Sequence, residues 1–219
     1  MKNFGELKAA VGQLVQRADD DNYLAKIGVW LQLSHKLLAE IYDYWTELQA
    51  VHNFNSAIGT EAYSMPADFD KPMRVYDLTN KKKLTPITEE VYSDSNISNI
   101  AAKTTGTPDE YRIYGVVSRL KQMKLGLIPN AIISYRVLYK QIPTEMDEDT
   151  DYPFIDADRY LVFDAYGYAL KQDKEDTKAN FAWQKASEAL TALLNNQMSN
   201  LGVDYQQKIV SSFAQSHRS

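Results

Sequence analysis

The sequence predicts an α+β fold: a helical bundle built from the N- and C-terminal helices, with a central inserted antiparallel β-sheet domain. Three observations carry this. Met123, Leu125 and Leu127 alternate with Gln122, Lys124 and Gly126, and Ile133, Tyr135, Val137 and Tyr139 alternate with Ser134, Arg136, Leu138 and Lys140. That is the period of strands with one buried face. The segments on either side repeat their apolar residues at helical spacing. Gly106-Thr107-Pro108-Asp109 and Pro129-Asn130 punctuate the middle of the chain as turns, and the second predicts that the two alternating runs fold back on each other as a hairpin. The expected division is 1–55 and 147–198 for the two helical parts, 56–146 for the β domain, and 199–219 for a tail.

In chain order, Phe4, Leu7, Ala10, Val11, Leu14 and Val15 mark one face of a helix over 3–18. Asp19-Asp20-Asp21-Asn22 ends it and offers a cap for the next, which is predicted to run to about Gln49. Its apolar set, from Tyr23 and Ile27 through Trp30, Leu31 and Leu38 to Trp45 and Leu48, is wider than one stripe. Such a surface needs cover from other helices or from a neighbouring subunit. Residues 50–60 read as a linker. Short strands follow at Glu61–Met65, Met73–Leu78 and Leu84–Ile87, with Thr79 to Lys83 as a hairpin tip. The three lysines there read as a solvated loop guarding a sheet edge rather than as a phosphate contact. Thr88, Glu89 and Glu90 predict one helical turn through Tyr92, and 93–105 a loop.

After the strand Tyr111–Tyr114 and the predicted hairpin comes an acidic connector. Asp147, Asp149, Asp151 and Asp158 fall at positions one, three, five and twelve of a calcium loop, but Tyr152 stands where the sharp turn needs Gly. A solvated connector is the expected reading. A helix from Asp156 or Ala157 to Leu170 is apolar nearly all round, and Asp173 is predicted to cap a last long helix carrying Ala179, Trp183, Ala186 and Leu190 on one face. The tail contains Val203, Tyr205, Ile209, Val210 and Phe213. It is either a segment that orders on a partner or a frayed extra helix.

Composition narrows the function classes. The chain has 219 residues, 44% hydrophobic and 24% charged, enough for a sizeable core. No apolar run is long enough to span a membrane and the N-terminus is not of signal type, so a soluble intracellular protein is expected. There are no cysteines, which removes disulfides, thiolate nucleophiles and Cys-ligated zinc. A net charge of −5 argues against a dedicated nucleic-acid binder. His35, His52 and His217 show no metal-ligand spacing, and His35 reads as a packed helix residue. Nucleophile-elbow, phosphate-loop and zinc-protease motifs are missing, so neither catalysis nor a cofactor is expected.

The order of parts then becomes informative. Tyr63 to Phe69 reads YSMPADF, Leu84 to Glu90 reads LTPITEE, Gly106 to Tyr111 reads GTPDEY, and Leu125 to Tyr139 runs strand, proline, strand. With helices before and after, this order resembles the head-to-tail adaptor (connector) proteins of short-tailed bacteriophages, the tail tubular protein A-like family. The similarity covers most of residues 5–197. The Val116 to Lys121 stretch is longer than the family's usual path, and the segment after Met198 is unmatched.

The resemblance implies a non-enzymatic virion protein at the head–tail junction, made in the host cytoplasm. It implies a homo-oligomeric ring, a dodecamer of about twelve copies, between a portal protein and a tail nozzle protein. Double-stranded DNA would pass through its lumen without sequence-specific binding, and no membrane is involved. Trp30, Trp45, Tyr160, Phe163, Tyr166 and Trp183 become candidates for the subunit interface. Val203, Tyr205, Ile209, Val210 and Phe213 become a candidate peg into the portal. Two alternatives stand beside this. One is a small α+β enzyme or ligand-binding domain with Tyr111, Tyr135, Tyr139 and the 145–151 loop around a pocket. The other is a neck-completion protein of a long-tailed phage.

Overall fold

Asn3 starts the first helix by closing a capping box. Its side chain accepts from the Glu6 N–H at 2.8 Å, while the Glu6 carboxylate accepts from the Asn3 N–H at 2.9 Å. In this computed structural model, which describes residues 1–88, 105–115 and 121–201, the chain divides into two compact units: Met1–Glu47 with Pro143–Ser219, and Leu48–Ile142. The fold is α+β, with helices from both ends of the chain and the sheets inserted between them in sequence.

The first unit holds four helices among the described residues: α1 (Phe4–Leu14), α2 (Asp21–Ile41), α3 (Asp158–Gln172) and α4 (Asp176–Leu201). Asp20 caps α2 by accepting from the Tyr23 N–H at 3.1 Å. α2 packs on α1 and α3, and α3 and α4 form a helical hairpin. Leu7, Val11, Ile27, Leu31, Leu38, Leu161 and Ala165 are sealed in the core. Leu14, placed on the core stripe by its spacing, is exposed because the helix ends on it and Val15 is the C-cap.

Two helix boundaries differ from the sequence expectation. α2 stops at Ile41 rather than near Gln49, because Tyr42 is extended (φ −137°, ψ 131°) and the chain doubles back to bury Trp45. The apolar spacing that runs on to Trp45 and Leu48 therefore reflects burial, not helix. Asp173 is the C-cap of α3, not the N-cap of α4: its N–H bonds the Ala169 carbonyl at 3.1 Å, and Lys174 makes the turn with a positive φ of 61°.

Residues 50–55 of the stretch 50–60 read as a linker belong to a strand, which starts at Gln49. The second unit begins at Leu48 rather than 56 and ends at Ile142 rather than 146. One sheet has the order β1 (Gln49–Asn55), β10 (Ser134–Gln141), β3 (Phe69–Asp77), β4 (Lys82–Lys83), antiparallel throughout. The other has the order β2 (Ala62–Ser64), β8 (Gln122–Leu125), β7 (Glu110–Tyr114), β5 (Thr85–Pro86), with β5 and β7 parallel. A short parallel pair joins β6 (Thr105–Gly106) and β9 (Ile128–Pro129).

The predicted hairpin about Pro129-Asn130 does not form. β8 and β10 lie in different sheets, because the eight residues 126–133 between them exceed a hairpin loop and carry the chain across from one sheet to the other. What the alternation did predict is the buried face. Met123 and Leu125 from one sheet and Tyr135, Val137 and Tyr139 from the other share one core with Phe69, Val75 and Tyr111. Tyr111, Tyr135 and Tyr139 are thus core residues, and burial with a hydrogen bond to Asp68 pushes the Tyr139 hydroxyl up to about 12. The lysine tip is a hairpin organised by Asp77, whose carboxylate accepts from the Asn80 N–H and side-chain amide at 2.8 and 2.7 Å. Of the predicted turn at 88–92 and loop at 93–105, only Thr88 and Thr105 are described, Thr105 lying in β6 rather than a loop, and residues 116–120 also lie outside the described residues.

Candidate functional site

The acidic connector is a strap on the helical unit. A helix leaves its first four N–H groups without internal partners. At α1, those of Phe4 and Gly5 donate to the Asp151 and Asp149 carbonyls at 2.7 and 2.9 Å, and Glu6 and Leu7 are served by Asn3. Gly5 allows this approach: a Cβ there would lie 3.0 Å from that of Asp149. Asp149 also pairs with Lys8, and Asp158 accepts from the Lys2 N–H at 3.0 and 2.8 Å. The Asp151 carboxylate turns inward to accept from the Asp147 and Glu148 N–H groups at 2.9 and 2.8 Å. Of the four carboxylates at calcium-loop spacing, those of Asp149, Asp151 and Asp158 are therefore occupied with protein donors.

Further along the strap, Gln32 exchanges two hydrogen bonds with the Met146 backbone, and Lys36 holds the Glu145 carboxyl below the usual carboxylate range. His35 is buried, and its Nε2 accepts from the Phe154 N–H at 3.1 Å. Next to it, Ser34 Oγ donates to buried Asp164 at 2.7 Å, which ties α2 to α3. Burial and the neighbouring Asp164 together raise the hydroxyl of Tyr160 far above its ordinary value.

The six interface candidates separate by burial. Trp45 is 0% exposed and Tyr160 2%, so neither has surface to offer a neighbour; both are core residues of their own unit. Trp30, Phe163, Tyr166 and Trp183 are half-buried. Trp30 meets Tyr23 edge-on at 5.9 Å, and Tyr166 and Trp183 come together on a cluster of Leu170, Ala179 and Ala182. On the helices, apolar residues that the core stripes leave out are open to solvent: Val29 (67%) and Leu33 (42%), one turn apart on α2, and Phe181 (59%) on α4. Their signal in the sequence is that they are the apolar residues left over once the buried face is assigned. The tail candidates Val203, Tyr205, Ile209, Val210 and Phe213 lie outside the described residues.

Trp183 also fixes the α3–α4 approach. Its indole lies over Gly167, where a Cβ would come within 2.3 Å of Nε1. We expect Gly167→Ala to destabilise the helical unit by about 2 kcal/mol through overpacking. Alanine in a helix otherwise gains about 1 kcal/mol over glycine. Urea denaturation decides the sign, and a gain in stability would mean that Trp183 moves aside freely.

The family model described as SU10 adaptor protein matches residues 2–208, nearly the whole chain. The chain belongs to the SU10 adaptor protein family. It is a phage adaptor, a structural component of the virion that interacts with other phage structural proteins. The match runs past Met198, where the sequence resemblance stopped, into the first part of the tail. No curated protein matches the adaptor. No helix among the described residues is long and apolar enough to cross a membrane.

Proposed function

We propose that this adaptor is a head-to-tail subunit that assembles into a ring of about twelve copies between the portal and the tail nozzle, around the DNA exit channel. The observation that carries the adaptor role is the family match over residues 2–208. Ring assembly is supported by the separation of its open apolar residues. A head-to-tail ring joins two different patches of each copy, and Val29 with Leu33 on α2 and Phe181 on α4 are patches on different helices. The net charge of −5 suits a wall that lets phosphate backbone slide past without holding it. The role is mechanical rather than catalytic: His35 is committed to a backbone N–H of the strap and Asp164 to Ser34.

Purified adaptor mixed with the portal of the same phage and imaged by electron microscopy is expected to give closed rings stacked on the portal. Persistence of separate portal and monomeric adaptor at micromolar concentration would refute the reading. Leu33→Asp together with Phe181→Asp is expected to leave the fold intact and abolish the rings.

A further inference from the structure

The two sheets of the inserted unit share their core through one face each, which leaves the sheet β1-β10-β3-β4 a second face turned away from that core. Strand alternation says which residues stand there. Val75, Tyr135 and Val137 point into the core and are 0% exposed, so Arg74 on β3 and Arg136 on β10 point outward. The register carries the outer face across the neighbouring strands: Asn53 on β1 lies opposite Arg136, Arg136 opposite Tyr76, and Tyr76 opposite Lys83 on β4. Asn53, Arg74, Lys83 and Arg136 are all exposed.

The charge on this face has one sign. Arg136 and Lys83 flank Tyr76 at one strand spacing on either side, about 5 Å each, and Arg74 lies two residues before it, about 7 Å along the strand. β1, β10, β4 and the part of β3 from Arg74 onward contain a single carboxylate, Asp77. It stands on the core side opposite Tyr135, is 1% exposed, and is taken up by two donors of Asn80. The Arg136 guanidinium is steadied by its Nε–H, which donates to Asn53 Oδ1 at 3.1 Å. A chain of net charge −5 thus sets three cations on one sheet face with no acid beside them. Of the lysines at 81–83, read from the sequence as a solvated guard, strand pairing turns Lys83 onto this face.

We infer that this face binds the phosphate backbone of double-stranded DNA. Phosphate oxygens are held by Arg and Lys and by Asn, Ser and Tyr donors. Arg74, Lys83, Arg136, Asn53, Ser134 and Tyr76 are all of those types. Protein interfaces are depleted of charge at their core, whereas the middle of this face is cationic. Three phosphate contacts per copy carry no sequence preference and only a weak hold, so the face steers a duplex without stopping it. The inference rests on the proposed function in one respect: in the ring, this is the face turned to the DNA exit channel.

Fluorescence anisotropy of the full-length protein with a labelled duplex of about 30 bp, in two unrelated sequences, tests it. The native chain is expected to bind both alike, and three phosphate contacts make the binding constant fall roughly 40-fold between 50 and 200 mM salt. Arg74→Glu, Lys83→Glu and Arg136→Glu together are expected to weaken binding about tenfold or more at low salt and to flatten the salt dependence, with the circular dichroism unchanged. The same three changes to Gln, which place no like charges side by side, are expected to give a smaller loss in the same direction. A charge-matched variant of exposed residues in the helical unit, Lys26→Glu, Lys171→Glu and Lys178→Glu, is expected to bind within about threefold of native. Equal loss in the face and helical variants, or no binding by the native chain at low salt, overturns the inference. So does tighter binding of polyglutamate than of the duplex at equal charge, which would make the face a site for an acidic protein. If the face variant loses DNA while the native chain forms no ring on the portal, the ring reading fails and this one stands. Native rings on the portal with unchanged DNA binding by the face variant would leave the ring and remove this inference.

Discussion

Replacing Trp45 by Ala is expected to lower the stability of the adaptor's helical unit by about 4 kcal/mol, the range for removing a fully buried large side chain. Trp45 is 0% exposed and packs edge-on against Tyr42 at 5.4 Å, with planes at 84°. Its indole N–H donates to the Leu38 carbonyl at 2.9 Å. Leu38 is one of the last four residues of α2, whose carbonyls have no partner within the helix. No glycine closes this end, so the indole serves in place of a C-cap. Trp45→Phe separates the two contributions. It keeps most of the ring and loses the donor, and about 1–3 kcal/mol should go with the orphaned carbonyl. All three tryptophans lie in the helical unit, so the fluorescence of Trp30 and Trp183 follows its urea unfolding in either variant. A loss below 1 kcal/mol for Trp45→Ala would show that the chain after Ile41 is not anchored as described.

The second large effect is a loss of stability on mild acidification. Burial, with Lys36 adding a smaller push, lowers the pKa of His35 to about 4 from an ordinary 6.5. Its Nε2 accepts the Phe154 N–H, so the neutral ring carries its proton on Nδ1, and the second proton would have to enter where that donor points. Below pH 6.5 the unfolded chain binds a proton that the folded chain refuses until about pH 4. The stabilisation is thus complete above pH 6.5, falls as pH drops through that window, and levels off below it. The total is about 3 kcal/mol, with a steepest slope of about 1.4 kcal/mol per pH unit. Carboxylates titrate near the lower end of the window, so the measurement is a difference: urea midpoints of native and His35→Gln chains from pH 7.5 to 4. The two curves should converge as pH falls. Parallel curves would mean that His35 is not buried in its neutral form.

Both effects belong to positions whose neighbours are remote in sequence, and this divides what the residues announce from what they conceal. The helical spacing of Leu7 and Val11 or of Ile27 and Leu31 identified buried faces correctly, as did the alternation through Met123, Leu125, Tyr135 and Tyr139. The same alternation could not say which strand lies beside which. It predicted a hairpin where β8 and β10 belong to separate sheets. β1 was missed because its inward residues, Ala50, His52 and Phe54, include one small and one polar side chain and so make a faint stripe. Among the proposed interface residues, Trp45 and Tyr160 are internal, while Val29, Leu33 and Phe181, outside that set, are exposed. A periodic pattern marks a residue as apolar, but it cannot tell whether its own fold already covers it.

Taken alone, the amino-acid sequence determined the α+β class, the positions of the principal helices, the inward faces of the main strands and the kinship with phage adaptors. These rest on spacing, caps and phrase order, which involve residues within a few positions of one another. The tertiary structure decided strand partners, the docking of the acidic strap on α1, and the sealing of Trp45 and His35. Each of those depends on groups brought together from distant parts of the chain, where local propensity carries no information and only the packed arrangement chooses the partner.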